Sequence, residues 1–294
     1  MKSKYIVLGC ALLLVGLAGC GSKKHTIKTR EPQEGDVHRV ETTNSFDLEV
    51  RLVNVKGDET KTIKSTKSSE TMVYTSEVLK LEGGKPVALR RQYEKAEAAS
   101  NGNVRQLPFH GKTVLIEKRD GKFQFRFEGG GELSAQDAGQ LLQEFGSGVE
   151  EPAKLLLPPG PVSVGETWKL PIDKIAANYE KTLPVKLDAA KATGSGKLAR
   201  AYDQNGKAFG VLQYQVEMPV KGEMMEVPAG PGSKLTLEQK TDGCIDGSSD
   251  TTTFSSEMKL EVKGMLDVPP KGRVTVMVDG KGTYTIAVTE LPKK

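Results

Sequence analysis

Residues 45–54 read SFDLEVRLVN, with Phe46, Leu48, Val50 and Leu52 on every second position. Successive side chains of a strand point to opposite faces, so this period of two predicts a strand with one dry and one wet face. Val53 breaks the phase and polar Asn54 takes the next apolar place, which predicts a bend or bulge there. The alternation returns in TMVYTSEVLKL (71–81), KTVLIEK (112–118) and FQFRF (123–127). The Thr- and Ser-rich residues 60–75 read as a long strand with a wet face. Asp120-Gly121, between the third and fourth of these strands, is a tight-turn pair.

The second half repeats the theme. Strands are expected at about 184–191, 195–203, 207–218, 233–239 and 252–264, with Asn205-Gly206 forming a hairpin turn. Residues 273–288 (RVTVMVDGKGTYTIAV) predict a last hairpin folded around Asp279-Gly280, and residues 96–106 (AEAASNGNVRQ) an exposed loop. One helix stands out at 135–145. Ser134 to Asp137 can cap it, Ala138, Leu141, Leu142 and Phe145 recur at helical spacing, and Gly146 stops it. Pro171 suits the first turn of a second short helix over 171–180. Residues 155–163 (LLLPPGPVS) predict a rigid crossover, because adjacent prolines lack backbone donors and restrict their predecessors.

The expected class is mainly β: a large antiparallel curved sheet or half-barrel with one or two short helices. A closed barrel and a sandwich are the other ways such strands pack. The element order is similar in the two halves, and Gly35-Asp36-Val37-His38 and Gly165-Glu166-Thr167-Trp168 stand at matching starts, as a duplication would give.

At the N-terminus, Lys2 and Lys4 precede an apolar run from Tyr5 to Leu17, shorter than the about 20 residues that span a bilayer. A basic head, a short apolar body and small residues before a cut form an export signal. The run closes on Leu17-Ala18-Gly19-Cys20, which resembles the lipobox of bacterial lipoproteins at all four positions. The resemblance implies cleavage between Gly19 and Cys20, a thioether from Cys20 to diacylglycerol and acylation of the new amine. Stable anchoring needs more than one chain, and multiple acylation at Cys20 meets that need. Gly21, rather than Asp, follows the cysteine. In Gram-negative bacteria this implies transfer to the outer membrane, facing the periplasm.

The expected organisation is a signal peptide at 1–19, a flexible lipidated tether at 20–35 and a first β-rich half at 36–150. A Pro-rich crossover at 151–164 and a second β-rich half at 165–290 follow. GETWKL (165–170), after a proline-rich crossover and behind a lipobox, resembles an uncharacterised β-rich lipoprotein family of planctomycete-type bacteria, over residues 36–288. That family supplies no activity for named residues. The layout is also similar to that of the periplasmic lipoprotein carriers and their outer-membrane receptor, whose curved sheets hold acyl chains.

A formal charge of +4 over 294 residues gives no case for nucleic acid. Lys23, Lys24, Lys28 and Arg30 form a basic approach to the anchor, read as a solvated spacer or as a contact for anionic headgroups. Of three cysteines, Cys10 leaves with the signal and Cys20 carries the lipid, so Cys244 has no disulfide partner and reads as a semi-buried small hydrophobe.

Chemical motifs are incomplete throughout. His25, His38 and His110 have no zinc spacing, and His110 could serve as a base only beside a serine and a carboxylate. No G-x-S-x-G elbow is present. ATGSGKL (192–198) looks like a phosphate loop, but Lys191 stands where its first glycine belongs and Leu198 where Ser or Thr belongs. It reads as a flexible strand connection. Asp242, Asp246 and Asp250 depart from the calcium-loop pattern and read as a solvated loop. Met224, Met225 and Met258 suit either a lipid pocket or an ordinary core. An aromatic content of 5% argues against a sugar-stacking surface.

No catalytic residue, cofactor or metal is therefore expected. The expected function is that of a membrane-anchored, non-enzymatic envelope protein binding a lipid, another apolar ligand or a protein partner. The alternative is an envelope hydrolase whose site assembles only in three dimensions.

Overall fold

The computed structural model describes residues 23–53, 60–131, 133–146, 152–183, 185–268 and 272–293. Its first part contains β1 (Lys24–His25), β2 (Val37–Val53), β3 (Thr60–Glu82), β4 (Lys85–Ser100), β5 (Asn103–Gln106), β6 (Thr113–Arg119), β7 (Lys122–Phe127), α1 (Ala135–Gly146) and α2 (Pro152–Leu156). Then come β8 (Val162–Ser163), β9 (Thr167–Lys169), α3 (Ile172–Thr182), β10 (Lys186–Leu187), β11 (Thr193–Gln204) and β12 (Lys207–Lys221). The last strands are β13 (Glu223–Met224), β14 (Val227–Pro228), β15 (Lys234–Cys244), β16 (Thr252–Val268) and β17 (Gly272–Leu291).

The main sheet runs β7-β6-β4-β3-β2-β17-β16-β15-β12-β11-β9. It has two free ends, so it is a large curved antiparallel sheet and not a closed barrel, as the alternation predicts. It consists of two successive meanders, β2 to β7 and β9 to β17. They are joined because β17 pairs with β2 along its length, from Leu291↔Val37 to Thr275↔Val53.

Three tight turns share one geometry. Asn101-Gly102, Asp120-Gly121 and Asn205-Gly206 each place both residues at positive φ, the geometry that matches strand twist. The first of these corrects the expected loop at 96–106. β4 continues to Ser100, turns and returns as β5, with Glu97–Ser100 paired to Asn103–Gln106. Alanine is a weak strand former, but cross-strand pairing overrides that preference.

The expected hairpin at Asp279-Gly280 does not form. Both residues lie inside the continuous strand β17, where Gly280 pairs with Leu260 and Leu48. A Cβ at Gly280 or Gly282 would lie 3.5 Å from the Phe46 ring, so the bare backbone there seats an aromatic side chain instead of making a turn. Of the strand expected at 184–191, residue 184 lies outside the described residues, and 185–191 do not form one strand. Only Lys186–Leu187 pairs with β12, and Ala189–Lys191 forms a 3-10 turn.

Two apolar cores share one face of the sheet, here called the inner face. At the β9–β12 end, α3 packs Ile175 and Ala176 onto Val216, Met218 and Leu235. At the β4–β7 end, α1 packs Ala138 and Leu141 near Val114, Ile116 and Phe125. Both helices match the sequence expectation, α3 with Pro171 at its N-cap position.

The two meanders open with the same turn. Asp36 N–H donates to Gln33 O while the Asp36 carboxylate accepts from Gln33 N–H at 2.7 Å. Glu166 N–H donates to Ser163 O while its carboxylate accepts from Ser163 N–H at 2.9 Å. Gly35 and Asp36 then exchange backbone bonds with Val78, as Gly165 and Glu166 do with Leu198. The matching sequence starts at Gly35 and Gly165 thus have one physical meaning, a turn that delivers a new first strand to its neighbour.

Residues 24–35, expected as part of a flexible tether, lie against the sheet. β1 pairs with β8, Lys28 N–H donates to Ile245 O at 2.8 Å and Ile27 packs on the apolar core. Residues 1–22, including the lipobox, lie outside the described residues.

Candidate inner-face trough

The register brings inner-face side chains of four strands into rows. Leu212 of β12 lies opposite Thr241 of β15, then Phe254 of β16 and Ile286 of β17. The next row is Tyr214, Gln239, Ser256 and Tyr284. These rows lie between the two helix-covered cores. Leu212 and Tyr214 belong to one core, while Ile286 packs against the other.

A cavity of about 510 Å³ stands over these rows. Its floor includes Leu212, Tyr214, Phe254, Tyr284 and Ile286, and its walls are Ile27–Arg30, Leu156–Leu157 and the 249–252 loop. Burial pushes the Tyr214 phenol up, partly offset by a hydrogen bond with Thr241. The phenol is therefore neutral, and the floor offers hydrocarbon, aromatic faces and hydroxyl or amide groups without charge. A concave, largely apolar site with a few polar groups, within about 300–1,000 Å³, has the form of a small-molecule pocket.

The charged lining residues, Lys28, Arg30 and Asp250, all stand on the walls and none on the floor. Arg30 donates to both oxygens of Asp36 at 2.7 and 2.8 Å and to Asp250 Oδ2 at 2.6 Å. His38 Nε2 lies 2.9 Å from the same Asp250 oxygen, and Lys293 Nζ lies 3.1 Å from Asp36 Oδ1. Burial pushes the Asp36 carboxyl up, but hydrogen bonds from Arg30, Gln33 N–H and Lys293 outweigh it and hold the group well below the usual carboxylate range. Burial also opposes ionisation of Asp250, and hydrogen bonds from His38 and Arg30 again lower it. This knot clamps the N-terminal segment against the sheet, where that segment walls the trough.

The other candidates read from the sequence are scattered. His110 Nδ1 contacts the backbone of Ala96, and its Nε2 lies 3.3 Å from Gln106, so the ring braces the β4–β5 hairpin. Among the described residues, neither His38 nor His110 has a hydroxyl or thiol partner. Asp242 accepts from Tyr202 at 2.6 Å, Asp246 accepts the N–H groups of Ala208 and Ser248, and Asp250 belongs to the knot. The three carboxylates thus serve three separate contacts, and no cluster of metal-ligating residues is found among the described residues. Cys244 is half-buried at the trough wall, with its thiol 3.0 Å from Asp246 Oδ1.

The glycines of the loop-like 192–198 segment lie in β11, beneath other side chains. A Cβ on Gly194 would come within 2.3 Å of Ile172, and one on Gly196 within 2.3 Å of Trp168. Their role is close packing. Met224 is buried within the short β13–β14 hairpin, and Met258 lies over Gly282 on the inner face. Cys20 and Gly19 fall outside the described residues. Arg30 is the residue that sequence reasoning misplaced: read as part of a solvated basic run, it is the centre of the knot.

No family model matches the chain, and no curated protein matches it in sequence. Among solved structures, lipovitellin, described for its lipid–protein interactions, matches with a TM-score of 0.39 and 8% identity, over 89% of this chain and 26% of lipovitellin. An outer membrane channel of Pseudomonas putida matches with a TM-score of 0.20 and 9% identity, over 89% of this chain and 98% of the channel. OpdQ of Pseudomonas aeruginosa matches with a TM-score of 0.14 and 8% identity, over 87% of this chain and 98% of that chain. Likenesses this distant carry no argument about function. No helix of the described residues is long and apolar enough to cross a membrane.

Proposed function

We infer that the chain is a lipid-anchored protein of the cell envelope, held at the outer membrane through Cys20, that binds a lipid or similar apolar ligand without transforming it. The observation that carries this reading is the trough. It is a largely apolar cavity of about 510 Å³ on the inner face, between two packed cores, with its charged lining residues on the walls and Arg30 paired to Asp250 there. Each buried methylene of a ligand contributes about 0.8 kcal/mol there, so an acyl chain is the natural fit. The lipobox supports the anchor and the export route.

The test is to purify residues 21–294 without the anchor, incubate them with total envelope lipids and examine the protein by native mass spectrometry. A discrete, saturable adduct of lipid mass is expected. A folded protein, verified by circular dichroism, that carries no adduct at any lipid concentration overturns the reading.

A further inference from the structure

We propose that the trough's own ligand, when the protein is away from a membrane, is one acyl chain of the lipid on Cys20. This rests on the trough and anchor readings above and names the occupant they leave open.

The placement of the N-terminal segment carries the argument. That segment does not leave the sheet as a free leash. It enters the described structure at Lys23, pairs as β1 with β8, and then supplies Ile27–Arg30 as one wall of the trough. Cys20 precedes Ile27 by only seven residues. An extended chain of that length reaches at most about 25 Å. The length of chain therefore keeps the acyl attachment point within reach of the cavity, which is also lined by Leu156, the last residue of α2, and by Leu157 after it, upstream of β8.

Tethering raises the effective concentration of the chain at the site to the millimolar range typical of short linkers. The knot at Arg30 fixes the other end of the wall, so the reach is not lost to motion of the segment. Size agrees. A cavity of about 510 Å³ lies in the lower half of the about 300–1,000 Å³ range of single small-molecule pockets, which suits one acyl chain better than the several chains of a whole lipid. Both bilayer and trough remove methylenes from water, so a chain has little preference between them. In water the same chain has no rival site, and docking shields it.

The experiment uses the full chain, expressed in a lipoprotein-processing host fed a diazirine-bearing fatty acid. The protein is extracted, transferred out of detergent, irradiated and digested. The expected result is acylated Cys20 crosslinked within the same molecule to peptides carrying Leu212, Phe254 or Ile286. In parallel, Cys20→Ser protein and the lipidated protein are titrated with an anthroyloxy-labelled stearate. Cys20→Ser is expected to bind it, and the lipidated protein at least tenfold more weakly.

Equal binding by both forms, with no crosslink in the trough, overturns self-docking and leaves the trough reading standing. Absence of any acyl mass on Cys20 also overturns it. If Cys20→Ser protein binds no probe and no trough crosslink is found, both readings fail. Trough crosslinks without free-probe binding support the proposal in its narrowest form, a site for the tethered chain only.

Discussion

Arg30 Nη1 donates to Asp250 Oδ2 at 2.6 Å across 220 residues of chain, while the same guanidinium grips Asp36. One side chain therefore ties the N-terminal segment to the start of β2 and to the loop between β15 and β16. Asp36 is 2% exposed and Arg30 11% exposed, so loss of the cation leaves a buried carboxylate without its main partner. Removing one member of a buried pair costs about 3–5 kcal/mol. Arg30→Leu is expected to lower unfolding stability by about 3 kcal/mol in a urea titration, while Lys23→Leu, exposed and without a partner in the knot, changes it little. A shift below 0.5 kcal/mol for Arg30→Leu would remove the knot from the account.

The knot also sets a pH dependence. Asp36 and Asp250 are both held below the usual carboxylate range in the folded protein. A depressed carboxylate contributes stability that is full above its unfolded pKa, near 4, and is lost as pH falls toward the folded value. The unfolding midpoint should therefore be flat with respect to these groups above about pH 5 and decline below about pH 4. In Arg30→Leu the acid decline should be shallower, because the main partner of Asp36 is gone. An unchanged slope in that variant would contradict the assignment.

Gly196 and Trp168 face each other so closely that a Cβ on the glycine would fall 2.3 Å from the indole. The indole is also fixed by its Nε1–H bond to Leu156 O at 3.0 Å, so it has little freedom to withdraw. Overpacking of this kind costs about 1–3 kcal/mol. Gly196→Ala should destabilise by that amount, and Trp168→Ala alone should also destabilise. The double variant should lose less than the sum, since the clash is absent when the ring is absent. Strict additivity of the two changes would show that the close contact does not exist.

Asp279-Gly280 shows where sequence reading stops. The dipeptide is the same turn signal that works at Asp120-Gly121, but its consequence depends on what lies across the strand. At Gly121 φ is +79, whereas Gly280 keeps strand geometry and lies beside Phe46. Local sequence contains the turn signal and not the partner. Gly121→Ala should therefore cost about 1–2 kcal/mol, the penalty for a side chain in the left-handed region. Gly280→Ala should cost under about 1 kcal/mol, because only neighbours at 3.3–3.5 Å must adjust. The reverse ranking would restore the hairpin.

The alternation of Phe46, Leu48, Val50 and Leu52 was enough to define a strand with a dry face, and the spacing of Ala138, Leu141 and Phe145 enough to define α1, because both signals are local periods. The trough has no such period. Its floor takes one or two residues each from β12, β15, β16 and β17, and they meet only through a register set by long-range pairing. Arg30 was misplaced for the same reason, since Asp250 is its partner in space and not in sequence. The alanine-rich end of β4 was misread because its propensity is weak while its pairing is strong.

The trough itself makes the last prediction. Phe254 and Ile286 lie opposite each other on adjacent strands, face the cavity and are only partly buried; Ile286 also packs against one core, so Phe254 is the cleaner of the two to shorten. Thr253, the chain neighbour of Phe254, is exposed on the other face. Removing a large apolar side chain from a ligand site forfeits about 1.5–3 kcal/mol of burial. Phe254→Ser and Ile286→Ser, each in the Cys20→Ser background, should weaken binding of an anthroyloxy-labelled stearate at least tenfold, which is 1.4 kcal/mol. Thr253→Ser should bind as the parent does, and all variants should retain the parent's circular dichroism. If the two inner-face variants bind the probe as tightly as Thr253→Ser, the ligand is held elsewhere, and the row from Leu212 to Ile286 is only a gap between two cores.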